Sequence, residues 1–426
     1  GQAVFGNVLN SLASLLLAFV VSPSGGQGKY DLGVVLLHVA SPLLVGGSEH
    51  VRLAAAQMFE GCTSPQICNV DAKQRCPFPT MLTAEAEAKL KRQVRRDFDP
   101  ARWGDEKLSQ RPWPDQHPRA TSCARVSVEQ AASNLDLSRP AIVDGVLDLW
   151  PDVKRWDLDR LLSEYGDYPF VVSSYFPDDG TEEEEEEPVT ISLKDYIQYD
   201  CQQQDDSPVY VFDHLILEKQ PVLASSFSRP SPFLVDYFDV MREMGAEMDH
   251  QWVLIGTTRS GAALHFDPMQ TSAWNTLISG RKRWILFPPN VSVEELLPPD
   301  VVNQTTFLTA NHFMHHCYPQ VNPELEGCID FIQEPGETVY IPNGWWHNVV
   351  NLELSVAVTQ NFVGDHNLED ARAAVKEEDA EVAREWWAMV KGQRKRQRQE
   401  RQRQQRQQQQ QQRRQERQQQ GQQHRQ

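Results

Sequence analysis

Cysteine is scarce in this 426-residue chain, with seven residues at positions 62, 68, 76, 123, 201, 317 and 328. An odd number spread so thinly is not the framework of a disulfide-stapled secreted domain, and it points to a reducing compartment. Cys62, Cys68 and Cys76 are clustered, but the five and seven residues between them do not match the close C-x-x-C type pairs of structural zinc. Also missing is the run of about 20 apolar residues that spans a bilayer. The most apolar stretch, Val4–Val21, is interrupted by Asn7, Asn10, Ser11 and Ser14 and lacks the basic lead of a secretory signal. Its Phe5, Leu9, Leu12, Leu16 and Phe19 share one helical stripe, so a packed helix and no membrane contact is the expectation here, with a signal or membrane anchor as the minority reading. Because position 1 is Gly rather than Met, the sequence is expected to begin inside a longer reading frame.

Basic residues are in the minority, 41 against 59 acidic ones, and they are unevenly placed. From Lys391 to Gln426 twelve Lys or Arg face only Glu400 and Glu416, a net of +10, which leaves residues 1–390 at −28 of the total −18. An acidic body with a basic tail points to self-association or to capture of an anionic partner by the tail.

Punctuation by proline, glycine and charge divides the chain. Residues 1–96 are expected to be helical, closing with a helix from Thr83 whose acidic residues come first and basic residues last, as the helix dipole favours. Residues 97–122, with Pro100, Pro112, Pro114 and Pro118, read as a linker. The main domain is placed at 123–365 and two helices at 366–391, with Gly392 ending the second. The Gln/Arg tail, 392–426, is too polar to bury a core and is expected to be disordered. Glu182–Glu187 reads as a solvated loop, because adjacent like charges repel.

Within the main domain short strands dominate from Trp252 onward, at 252–257, 262–266, 273–278, 282–287, 337–341, 346–351 and 354–362. Such strands broken by Gly and Pro turns predict a mainly β fold, a closed or double-sheet jelly roll, with flanking α-helices. Residues 290–330, rich in Asn, His and Pro, interrupt the series as a long insert of the kind that usually forms a functional loop or lid.

Two stretches carry chemistry. In GAALHFDPMQTSAWNTLISGRKRWILFPP, His265 and Asp267 are two residues apart and project from one face of a strand. In PGETVYIPNGWWHNVVNLELSVAVTQNF, His347 follows a Pro-Asn-Gly turn, 82 residues beyond His265. Two imidazoles and a carboxylate are the donor set of a facial triad for non-haem Fe(II). A histidine in a strand is more often a satisfied polar residue than a ligand, so spacing alone leaves both readings open. Lys282 shares a strand face with Trp284, away from Arg281 and Arg283, which favours burial over a solvated basic turn. Trp274, Trp345 and Trp346 could form a cage for a methylated cation, but core is the commoner role for such residues, and it is favoured for Trp274 and Trp284.

The motifs HFDP, TSAWNTLISGRKRWILFPP, PGETVYIPNGWWHNVVN and AVTQNF, with weaker likeness in SPVYVFD, resemble the Jumonji-C (JmjC) oxygenases over about residues 125–365. Within that family they resemble the subgroup that includes the lysyl hydroxylase once called the phosphatidylserine receptor. The resemblance implies a double-stranded β-helix, the cupin-like jelly roll, and dependence on Fe(II), 2-oxoglutarate and O2. It implies His265, Asp267 and His347 as metal ligands and catalytic residues. It further implies Lys282 and Thr359 at the distal carboxylate of 2-oxoglutarate, with Asn275 and Tyr210 as additional contacts. Ala262 stands where close relatives carry a hydroxyl, so one polar contact of the family is missing here.

The implied activity is hydroxylation of a protein side chain, lysine above all, with N-methyl-arginine or N-methyl-lysine (histone) demethylation as the alternative by the same chemistry. A non-catalytic cupin-type binding or storage protein is the reading from another class, prompted by the tail. The expected partner is a lysine- or arginine-containing protein, with RNA or an acidic surface at the tail. A nuclear or cytoplasmic location follows from the resemblance alone.

Overall fold

A computed structural model of the chain describes residues 82–94, 106–173, 188–244, 250–299, 308–396 and 399. The expected helix at Val4–Val21, the acidic run Glu182–Glu187 and the tail beyond residue 399 lie outside the described residues.

Thirteen strands are described. β1 (Ala124–Ser127), β2 (Ala141–Asp144), β3 (Pro169–Val171), β4 (Thr190–Ser192) and β5 (Tyr210–Asp213) alternate with helices. The strand-rich half then runs through β6 (Gln251–Gly256), β7 (Gly261–His265), β8 (Ser272–Ser279) and β9 (Lys282–Phe287). After the insert come β10 (Ile329–Gln333), β11 (Thr338–Ile341), β12 (Trp346–Asn351) and β13 (Ser355–Phe362). Seven strands form a major sheet in the order β1-β2-β11-β8-β13-β6-β5, and four form a minor sheet in the order β10-β9-β12-β7. This is the expected jelly roll: consecutive strands cross between two facing sheets, so that residues far apart in sequence meet inside. At one crossover, between β8 and β9, Gly280 has φ +80 and a Cβ there would lie 2.4 Å from the Leu354 carbonyl, so only glycine turns this corner.

Strand alternation divides the minor sheet cleanly. Lys282, Trp284 and Leu286 pair with Asn351, Val349 and His347 on one face. Trp284, Leu286 and Val349 pack with Ala273, Val339 and Ile341 of the major sheet, which makes this face the interior of the sandwich. Ile285, Phe287, Trp346 and Val350 point the other way.

The insert differs from the expected loop. Its described part winds through short helical turns at Val293–Leu296, Ala310–His312, Phe313–Cys317 and Tyr318–Gln320. Phe313, Met314, Cys317 and Tyr318 are buried against Ile285, Phe287 and Val350, so this segment is a second core layer on the outer face of the minor sheet. Burial of that apolar surface fixes turns that an Asn- and His-rich composition would not hold alone. The segment from residue 106 to the main domain is likewise docked: Thr121 donates to the Cys328 carbonyl at 3.0 Å and accepts from the Asp330 amide at 3.1 Å, adding to the β10 edge.

A capping box joins Ser127 and Gln130 at the start of the helix Val128–Asn134. At the other end, helix Leu368–Glu378 is followed by a helix over 380–396 that runs straight through Gly392. Packing of Trp386 and Val390 on Tyr237, Phe238 and Leu368 holds this helix and outweighs the ~1 kcal/mol that a helical glycine costs. Among the described residues no helix is long and apolar enough to cross a membrane.

Candidate active site

His265 closes β7 and His347 lies near the start of β12, and the two are direct partners in the antiparallel ladder. Their ring centroids are 4.1 Å apart. Asp267, two residues past β7, completes a cluster in which one ligand atom from each residue lies within 4.8 Å of the others. All three are buried.

Hydrogen bonds define which atoms are free. His265 Nδ1 donates to the Ala263 carbonyl at 2.6 Å and His347 Nδ1 to the Trp345 carbonyl at 3.0 Å. These bonds fix the tautomer that leaves each Nε2 as a lone-pair donor. Burial, and for His265 the neighbouring His347, pushes both imidazoles down to about 4, so they are neutral near pH 7. Asp267 Oδ1 accepts from Asn361 Nδ2 at 3.0 Å, while its buried Oδ2 has no partner. Burial raises the Asp267 carboxyl pKa. A buried carboxylate oxygen without a donor is costly, and two neutral imidazoles beside it complete the nitrogen and oxygen donors that a divalent cation requires. The side chains present therefore fit a 2-His-1-carboxylate metal centre.

Lys282 lies deeper between the sheets. It is fully buried, and Nζ donates to Asn351 Oδ1 at 2.7 Å and lies 5.9 Å from the centre of the Tyr210 ring. No carboxylate among the described residues pairs with it, and burial pushes the ammonium down to about 7. Asn351 is itself clamped, donating to Ser260 O and Oγ at 3.0 Å and accepting from Ser355 Oγ at 2.6 Å. Gly256 makes room for this group, since a Cβ there would lie 1.9 Å from Asn351 Nδ2. Asn351 follows His347 by four residues on β12, roughly 13 Å along the strand, so a buried cation and the histidine pair share one interior face. A small dicarboxylate is the kind of molecule that would answer both.

Thr359 and Asn275 are register partners on β13 and β8. Thr359 Oγ1 donates to the Trp274 carbonyl at 2.9 Å, and the buried Asn275 Oδ1 has no partner. The structure thus gathers His265, Asp267 and His347 into one cluster, sets Lys282 beside Tyr210, and pairs Thr359 with Asn275. Two further residues escaped the sequence reading, Asn351 at Lys282 and Asn361 at Asp267. Strand parity was the available signal: Asn351 shares a face with His347, and Asn361 with Thr359. The tryptophans form no open cage. Trp345 and Trp346 are buried, and their indole N–H groups donate to the Ser138 and Val291 carbonyls.

The cupin-like domain family matches residues 128–367. A lysine-specific demethylase of Arabidopsis thaliana, JMJ21, is 36% identical over 247 residues, which cover 57% of this chain and 25% of that protein. A bifunctional arginine demethylase and lysyl-hydroxylase of Caenorhabditis briggsae, psr-1, is 33% identical over 270 residues, 60% of this chain and 64% of its own. The human 2-oxoglutarate and iron-dependent oxygenase JMJD4 is 30% identical over 239 residues, 51% of this chain and 54% of its own. Across these three the match thus spans between 25% and 64% of the relative's own length.

Proposed function

The chain belongs to the cupin-like domain family, and on that premise we propose that it is an Fe(II)- and 2-oxoglutarate-dependent oxygenase that hydroxylates a protein side chain, lysine first. One observation carries this reading: a fully buried, uncompensated lysine shares the sandwich interior with a buried two-histidine, one-carboxylate cluster. A buried cation without a counter-charge is destabilising in itself, which argues for a site that takes up an anion rather than a purely structural role.

His265, Asp267 and His347 would hold the metal, which when bound supplies open coordination positions and the redox chemistry that couples decarboxylation of 2-oxoglutarate to oxidation of a C–H bond. The protein's own share is placement. The Ala263 and Trp345 carbonyls keep the protons on Nδ1, and Asn361 holds one oxygen of Asp267. Lys282, steered by Asn351, would take the distal carboxylate of 2-oxoglutarate in a charge-assisted bond, with Tyr210 and Thr359 beside it and Asn275 nearer the metal. Trp284, 6.1 Å from the His347 ring, walls the interior against water.

Demethylation of N-methyl-arginine or N-methyl-lysine is the second reading, supported by the demethylase names of several relatives. The chemistry is the same, directed at an N-methyl carbon. A nuclear location, and contact of the basic tail with RNA or an acidic surface, are proposed on resemblance and charge. The test is anaerobic loading with Fe(II) and 2-oxoglutarate, addition of O2 with lysine- and methyl-arginine-containing peptides, and measurement of succinate and peptide mass. A gain of about 16 mass units identifies hydroxylation and loss of a methyl group demethylation. No succinate from metal-loaded protein overturns the oxygenase reading.

A further inference from the structure

The turn that follows Asp267 is strained. Met269 and Gln270, neither of them glycine, both adopt left-handed backbone, at φ 52 and φ 54. Such residues persist only where surrounding structure forces them. The turn is held from the sheet side by Thr271, whose N and Oγ1 donate to the Pro268 carbonyl at 3.1 and 2.8 Å, and by Asn361, whose Nδ2 bridges Thr271 Oγ1 and Asp267 Oδ1.

It is held from the other side by the helices after the barrel. Asn367 occupies the N-cap position of helix Leu368–Glu378, where an asparagine normally caps the free amides of the first turn, yet it makes no such bond. Its side chain turns to the strained segment instead. Nδ2 donates to the Gln270 carbonyl at 2.9 Å and Oδ1 accepts from the Gly364 amide at 2.8 Å, and the residue is fully buried. Met269 packs against the cluster formed by Val363, Leu368, Trp386 and Val390. That cluster joins Tyr237, Phe238 and Met241, which precede β6, to the helices past residue 367, where the match to the cupin-like family stops.

We propose that Asn367 is a positioning residue for Asp267, through which the two helices after the barrel set the aim of the carboxylate at the metal centre. The inference rests on the metal reading of His265, Asp267 and His347. A cap bond is forgone and two left-handed residues are tolerated, and the common outcome is a fixed carboxylate beside two fixed imidazoles. Asn361, which bonds Asp267 directly, is a partner of the kind that typically tunes metal affinity by 10- to 100-fold, and Asn367 acts one step further out, through the turn.

The experiment compares Mn(II) affinity, read by loss of the free-ion electron paramagnetic resonance signal, across full-chain variants. Asn367→Ala is expected to weaken Mn(II) binding severalfold, up to roughly the tenfold lower end seen for direct partners of a ligand. Should that variant not fold, Asn367→Asp keeps the size and the Gly364 contact but loses the donor to Gln270, and the same weakening is expected. Val321→Ala, in the separate core layer of the insert, lowers stability without touching the turn and is expected to bind Mn(II) as wild type does. Wild-type affinity in both Asn367 variants overturns the inference alone. So does an equal loss in Val321→Ala. Wild-type protein whose Mn(II) uptake is unaffected by His347→Ala overturns the metal-centre reading and this inference with it.

Discussion

Lys282 and Asn351 are partners in the β9–β12 ladder and are joined by a 2.7 Å hydrogen bond, a buried cation held by an amide oxygen. An amide oxygen orients an ammonium but does not neutralise it, so the site is poised for a carboxylate that the described residues do not provide. Lys282→Met is therefore expected to act in opposite directions on two measurements. A charge-assisted bond is worth about 1.5–3 kcal/mol, so the KM for 2-oxoglutarate should rise roughly 10- to 150-fold. The melting temperature of the co-substrate-free protein should rise as well, because an uncompensated buried charge has been replaced by a thioether of similar length. Steady-state kinetics and thermal melts of the same preparation check both.

The same lysine imposes a pH dependence. Its folded pKa is about 7 against an ordinary value of 10.5, so between those values the unfolded chain holds a proton that the folded chain has lost. Stability from this group thus increases as pH rises through the window. Binding of a carboxylate restores the proton, so the KM for 2-oxoglutarate should climb above pH 7, by up to about tenfold per unit. Denaturant titrations at pH 7 and 9 should show the stability gain in wild type and its loss in Lys282→Met.

Metal should stabilise the folded chain through the histidine pair. At a concentration one hundred times its dissociation constant, Mn(II) is expected to add about 2.7 kcal/mol, seen as a rise in melting temperature. In His347→Ala the rise should vanish and succinate formation with it. Retained turnover in that variant would sink the ligand assignment.

Relief of the strained turn offers a separate measurement. Gln270→Gly replaces a left-handed residue at φ 54 with the one residue suited to it. A gain of about 0.5–1 kcal/mol is expected after the entropy of the added glycine is deducted. Mn(II) affinity should not change, because Asn367 holds the carbonyl of residue 270 and not its side chain. A lower melting temperature would show that no strain is stored there.

Removal of the tail separates charge from catalysis. A chain ending at residue 399 keeps the helix over 380–396 and should retain wild-type succinate formation. It should lose the salt-sensitive retention on immobilised RNA that is expected of the full chain.

Seven of the eight strands from β6 to β13 were legible to within one residue at either end, because glycine and proline turns punctuate them and both faces are buried in apolar side chains; β10 was missed, its start having been read as the end of the insert. The ladder opposition of His265 and His347 was not legible. Spacing permits convergence but does not fix which strands pair, and register comes from the barrel as a whole. The insert was misread as loop because its turns are held by contacts with Ile285, Phe287 and Val350, which local composition does not reveal. Gly392 misled for the same reason, since packing of Trp386 and Val390 decides a helix end that propensity alone would place earlier. Asn351 and Asn361 were accessible to the two-residue period and were passed over because the motif named other residues on those strands.

A metal ion held by His265, Asp267 and His347 would bind together two points 82 residues apart in the chain. It would then act as a staple of the kind a disulfide makes, closing a long loop. Loading the metal would thus do more than equip the site. It would slow the opening of the sandwich, so that the lifetime of the fold and the capacity for oxidation rise and fall together.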